Sequence, residues 1–179
     1  MPPAGNPLAG ARDLAKVKAD LQAAGYKGEK VVIINPTDFP TIAPFGQITA
    51  DVLKKIGMNV ELIETDWGSL VQRRASKAPP EQGGWSIFHT WWPGIAIMNP
   101  AVNATLRGQG ERGWFGWYRN DKVEQLAGEW LQATNGAEQN RLAEAIQTES
   151  FTNAPVLPLG QFFIKTAHRG LKDVLKGTS

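Results

Sequence analysis

Two apolar runs, VVIIN at 31–35 and NVELIE at 59–64, flank a single helix-length segment, and this spacing restricts the possible folds more than any other feature of the chain. The first run is β-branched and wholly apolar until its final Asn35, the pattern of a strand covered on both faces in a parallel sheet. Residues 36–44 read as a loop, and 45–56 as a helix closed by Gly57 in a left-handed cap. Strand, helix and strand at this distance make a βαβ unit. Its right-handed crossover places the carboxyl ends of both strands on one edge, where ligands of open α/β sheets collect.

The remaining pieces extend this unit. Leu14, Val17 and Leu21 recur at helical spacing, which predicts a helix over 12–24 that stops at Gly25. Thr65 or Asp66 can cap a third helix ending near Ser76, and the loop KAPPEQGG leads into WSIFH (85–89) as a third strand. Asp121 with Glu124, and Asn135 with Glu138, read as N-caps followed three residues on by a carboxylate, opening helices over 122–133 and 136–151. The late segment PVLPLGQFFIK reads as extended. Residues 1–10, rich in proline and glycine, read as a flexible segment, and 179 residues is the size of one domain.

Several function classes lack a chemical basis. The 19 basic and 17 acidic residues are scattered, with no lysine or arginine block of the kind that grips nucleic acid. The densest group, Arg73, Arg74 and Lys77, reads as the solvated face and basic last turn of a helix in preference to a phosphate site, the alternative for Arg73 and Arg74 being an approach to an acidic ligand. The chain has no cysteine, so disulfides, thiolate metal sites and thiol nucleophiles are excluded together. His89 and His168 stand far apart and outside any helix-borne metal spacing, and no phosphate-binding glycine motif or nucleophile elbow occurs. Glu61 and Glu64, three apart in a strand, face opposite ways and cannot act as a catalytic pair. Asn103-Ala104-Thr105 matches a glycosylation sequon at a place that could be helical. No catalytic residue, cofactor or metal is expected.

What stands out instead is tryptophan. Five of the seven tryptophans fall within GGWSIFHTWWPG and GWFGWY. Large flat side chains held by rigid turns are a common way to build a pocket for an organic ligand. Trp67 and Trp130 sit in helical patterns and read as structural, and Trp85 alternates with Ile87 into the core. Trp91, Trp92, Trp114 and Trp117 adjoin Pro93, Gly94, Gly113 and Gly116, where a side chain is not obliged to face inward. These four, with His89 at the end of the third strand, are the candidate ligand-binding residues.

The order AAGYKGEK, VVIINPTD, KKIGMNVELIETDW, GGWSIFHTWWPG, MNPAVN, YRNDKVEQL and PVLPLGQF resembles the C-terminal lobe of the extracellular solute-binding proteins of the dipeptide/oligopeptide family, which deliver ligands to ABC importers. The resemblance covers residues 11–170 and leaves 171–179 as a tail. It implies an α/β lobe of the type II periplasmic-binding-protein kind, with a mainly parallel sheet flanked by helices. It also implies a periplasmic or extracytoplasmic setting, a small organic solute such as a peptide, sugar or opine, hinge closure over that solute, and a permease as partner, the membrane being met only through it. Family members are two-lobed and much longer, so the resemblance implies a fragment whose natural beginning and signal peptide precede Met1. It implies further that residues 156–163 return toward the other lobe. The position where peptide carriers commonly place an aspartate for the ligand's amino group falls on Ala96. Two other classes remain open: a freestanding protein-interaction domain, and a carbohydrate-active enzyme with a carboxylate pair near Trp91 and Trp117.

Overall fold

The computed structural model describes residues 13–165 together with residues 167 and 169. The expected flexible segment 1–10, the tail 171–179, the helix start at Arg12 and His168 lie outside the described residues.

A three-stranded sheet has the order β2-β1-β3, with β1 (Lys30–Pro36) in the middle. β1 runs parallel to β2 (Asn59–Thr65), with Ile34 level with Ile63, and parallel to β3 (Ile87–Phe88), with Ile33 level with Ile87. The central position explains the apolar run: Val32, Ile33, Ile34 and Asn35 are all buried. Alternation along the strand divides them between two helices. Val32 and Ile34 pack on Leu70 of α3 (Trp67–Arg73), with Ile63, Trp67, Trp85 and Phe88 around them. Asn35 points the other way, and its amide donates to the Ala43 carbonyl at 3.0 Å in the first turn of α2 (Ala43–Lys55).

The helix signals largely hold. Pro44 lies in the first turn of α2 instead of the preceding loop, a position where its missing N–H costs nothing. Gly57 has φ 94° beyond the end of α2, as its capping role requires. Asp66 is the N-cap of α3, accepting from the Ser69 N–H at 2.9 Å. The helix α1 (Leu14–Ala23) is capped by Asp13 and stops short of Gly25 at φ 90°. Its spacing describes a helix but not a buried one, since Leu14 and Val17 are 43% and 41% exposed. Tyr26, just beyond, ties this end to the sheet: its hydroxyl donates to the Glu29 carbonyl and accepts from the Asn59 N–H.

Three details differ from expectation. The third strand is only two residues long, and a short helix, α4 (Gly94–Ile97), follows Pro93 and carries the exposed Ala96. Asn120, not Asp121, caps α5 (Asp121–Gln132), accepting from the Val123 N–H at 3.1 Å. Glu124 does not reach back to the cap because the Arg107 guanidinium holds both its oxygens, at 2.7 and 2.6 Å, and the Gly108 N–H donates to it at 2.8 Å. Asn103 is buried in a turn, not a helix, with its side-chain oxygen accepting from the Thr105 N–H and hydroxyl. It is thereby unavailable for glycan transfer in the folded chain.

Asn135 caps α6 (Gly136–Asn153) as expected, accepting from Glu138 N–H at 2.9 Å. α5 and α6 share a second core of Ala101, Val123, Ala127 and Ile146, against which Tyr118, Leu126 and Trp130 pack. After α6 the chain runs on without regular structure, and Val156, Leu157, Leu159, Phe162 and Phe163 are exposed along it. No helix among the described residues is long and apolar enough to cross a membrane.

Candidate functional site

The candidate residues leave the sheet at the carboxyl end of β3, and strand alternation sends successive side chains to opposite faces. Phe88 joins the α3 side. His89 turns to the α2 side, where its Nε2 meets the Thr49 hydroxyl at 2.9 Å and its ring stacks on Phe45 with centroids 6.1 Å apart. The ring is buried, Nδ1 has no hydrogen-bond partner, and burial holds its pKa below the ordinary value. His89 is thus separated by the sheet from the aromatic group that forms on the other face.

That group is built around a cation. Arg74, just past the last turn of α3, lays its guanidinium among four rings: its Cζ lies 4.5 Å from the centroid of Phe115, 5.2 Å from Trp114, and 5.9 Å from both Trp67 and Phe88. Rings around a guanidinium stabilise it through their negative faces. Trp92 packs edge-on to Trp114 with centroids 4.9 Å apart, and its indole N–H is buried without a partner. Trp92 and Trp114 therefore do come together, as one half-buried shelf supported by Arg74.

The other two tryptophans stand apart from that shelf. Trp117, at a left-handed φ of 51°, tilts against Trp85 with centroids 6.2 Å apart and lies under the Lys77 ammonium at 5.1 Å. Lys77 also pairs with Glu111. Trp85 packs on the sheet core, as its alternation implied, and its indole N–H donates to the Arg74 carbonyl at 3.1 Å. Trp91 is the most open of the candidates, 42% exposed, and meets the edge of Phe162 from the late extended segment at 6.4 Å. Beside it in sequence, Ile95 on α4 is 83% exposed.

The basic cluster is not a solvated helix face. Arg73 does stand in the last turn of α3, but it does not spread into solvent: its Nε and Nη2 donate to the carbonyls of Gly83 and Gly84 at 3.1 and 3.0 Å, anchoring the turn before β3. Arg74 is the residue that a reading of surface charge misses. One signal was available. Trp67 and Arg74 are seven residues apart, two helical turns, and so share one face.

Carboxylates are engaged separately: Glu61 pairs with Lys30 at 2.9 Å, and Glu64 accepts from the Gln47 amide at 3.3 Å. Among the described residues no group of three or more His, Asp or Glu is placed to hold a metal ion.

No protein-family model matches the sequence. Individual relatives do. The chain is 37% identical over 156 residues to y4tO of Sinorhizobium fredii, named a peptide ABC transporter periplasmic-binding protein, which aligns with 87% of this chain and 29% of the relative. Among solved structures, AppA from Clostridium difficile superposes with a TM-score of 0.68 at 18% identity, covering 80% of this chain and 29% of AppA. The oligopeptide binding protein from Thermus thermophilus, solved with a pentapeptide, gives a TM-score of 0.64 at 18% identity, covering 88% of this chain and 31% of that one. The chain thus spans less than a third of the length of each of these proteins. In sequence the chain is similar to a peptide ABC transporter periplasmic-binding protein, and in fold it is similar to peptide-binding proteins, over less than a third of the length of each.

Proposed function

We propose that this chain acts as one lobe of an extracytoplasmic solute-binding protein that closes over a small organic solute and presents it to a membrane permease. The carrying observation is the 37% identity to a periplasmic-binding protein, which runs through nearly the whole of this chain. The exposed aromatic and apolar surface beyond β3 agrees with it, because a jaw of a two-lobed clamp keeps its ligand face open until closure. In this reading Trp91 meets the solute, Trp92 and Trp114 form the shelf behind it, and Trp117 and His89 hold the flanking loop and strand end in place. Val156, Leu157 and Leu159 would pack toward the second lobe. The reaction is capture and release, with no covalent step.

Peptide is the solute class favoured by kinship, while Ala96 withholds the carboxylate with which peptide carriers meet an amino terminus. The experiment is intrinsic tryptophan fluorescence of the longest product its gene encodes, titrated with di- and tripeptides, oligosaccharides and opines. A saturable change with one class is expected, and silence toward all three would refute the capture reading.

A further inference from the structure

We propose that Asn35 and His89 hold one buried water between them under α2, and that this bridge makes Asn35 a positioning residue for the Trp91–Trp92 loop. The bridge stands on the fold alone, while the loop's part in capture rests on the reading above.

The ladder between β1 and β3 ends at the pair Ile34 and Phe88, one residue short of His89. After His89 no residue is buried until Pro100, so on the strand side the aromatic loop takes its bearing from this one imidazole. Backbone pairing does not hold it there, and side chains must. Asn35 follows Ile34 as His89 follows Phe88, so the two stand level on neighbouring strands, and both turn to the α2 face. Both are out of solvent, Asn35 at 0% exposure and His89 at 8%. Glycine at position 46 of α2 is what lets the Asn35 side chain stand here, because a Cβ would overlap it.

Each side chain has one polar atom engaged and one left over. Asn35 Nδ2 donates to the Ala43 carbonyl, which fixes the orientation of the amide and leaves Oδ1, an acceptor only, buried without a partner. His89 meets Thr49 through Nε2, and its Nδ1 is buried without a partner. Thr49 sits inside α2, where a threonine hydroxyl commonly donates to the carbonyl four residues back and keeps a lone pair free. A neutral imidazole that donates its Nε2–H to that lone pair has Nδ1 as an acceptor.

Two acceptors cannot bond each other, and leaving either unmade in the interior is unfavourable. The other unpartnered buried groups among the described residues, Arg74 Nε and Trp92 Nε1, are donors, but they belong to the α3 face and the sheet separates them from Asn35. Water brings two hydrogens, one for each acceptor, and two polar partners are enough to hold it in a buried place. The bridge then continues the link between β1 and the chain after β3 beyond the last ladder pair, at the root of the loop that carries Trp91 and Trp92.

A crystal structure of this chain tests the bridge directly. One ordered water within hydrogen-bonding distance of both Asn35 Oδ1 and His89 Nδ1 is expected. A direct bond between the two side chains, or no density joining them, would overturn the proposal. The ¹⁵N shifts of the His89 ring check it in solution: the proton is expected on Nε2, and an Nδ1–H tautomer would overturn the two-acceptor arrangement. Neither measurement depends on a variant that folds.

Asn35→Leu removes one acceptor and strands the other, whereas Asn35→Leu combined with His89→Phe removes both. The two changes are expected to couple, the double variant keeping a folding equilibrium constant at least about fivefold above that expected from the single effects. Strict additivity would count against the bridge. For positioning, the indole N–H resonances of Trp91 and Trp92 are compared with that of Trp130, which packs on the α5–α6 core. Asn35→Leu, or Asn35→Ala if leucine does not pack, is expected to shift the first two and leave the third. Unmoved Trp91 and Trp92 resonances would overturn the positioning role. These readouts need no solute, so silence of the fluorescence panel would refute the capture reading and leave the bridge to be decided by its own results.

Discussion

His89 and Thr49 meet at 2.9 Å, Nε2 to hydroxyl, and so fasten the carboxyl end of β3 to the middle of α2. The contact lies on the face of the sheet opposite the Arg74 cage. Burial keeps the imidazole neutral by holding its pKa below 6.5. A depressed folded-state pKa means that the stabilisation is present in full above the unfolded value and is lost as pH falls through the window down to the folded value. Thermal melts from about pH 8 to about pH 5 should therefore show a steeper fall in Tm for the wild type than for His89→Gln. Parallel curves for the two proteins would contradict a buried neutral His89.

Two helical glycines should respond to alanine with opposite signs. A Cβ on Gly46 of α2 would overlap the Asn35 side chain, which is buried in the central strand, so Gly46→Ala should destabilise by about 1 to 3 kcal/mol. A Cβ on Gly128 of α5 meets nothing within 4 Å, so Gly128→Ala should stabilise by about 0.5 to 1 kcal/mol through helix propensity. Urea denaturation of both variants measures the pair.

Glu124 is held by Arg107 and by the Gly108 N–H, and the Arg107 hydrogen bonds in particular lower its pKa. Glu124→Gln leaves a partly buried guanidinium without its counter-ion and should cost about 1 to 3 kcal/mol. For this carboxylate the contribution is present above the ordinary value of 4.5 and lost as pH falls through the lowered one. Chemical denaturation of wild type and variant at neutral and acid pH should show the difference between them narrowing in acid.

Trp91 and Trp114 should separate binding from stability. Trp91 is the open member, so Trp91→Ala should leave Tm within a degree or two and weaken binding of whichever solute the fluorescence panel identifies by about tenfold. Trp114 packs against Trp92, Phe115 and Arg74, so Trp114→Ala should cost about 2 to 4 kcal/mol of stability. Calorimetric melting and solute titration on the two variants check this, and a larger Tm loss at Trp91 than at Trp114 would reverse the assignment.

Local sequence carried most of the scaffold because its signals are short-range. VVIIN has the pattern of a strand covered on both sides, Gly57 could take the left-handed cap, and Asp66 and Asn135 could accept from N–H groups three residues on. Where two local choices were nearly equivalent the sequence was less decisive: Asn120 and Asp121 are both good caps, and in the fold Asn120 caps α5 while Arg107 holds Glu124. The α1 spacing announced a helix but not what would lie against it.

The sequence alone determined the parallel βαβ frame, the absence of thiol chemistry, the density of tryptophan after the third strand, and the family resemblance that the comparisons bear out. It could not assign the tryptophans to places, because their flanking glycines and prolines remove the periodicity from which a side chain's direction is read. Only the tertiary structure divided them, putting Trp92 and Trp114 on the Arg74 shelf, Trp117 beside Trp85, Trp91 at the open edge, and His89 across the sheet. It also converted Arg74 from a surface charge into the centre of the cage, since long-range packing, not helix position, decides whether a cation faces water or rings.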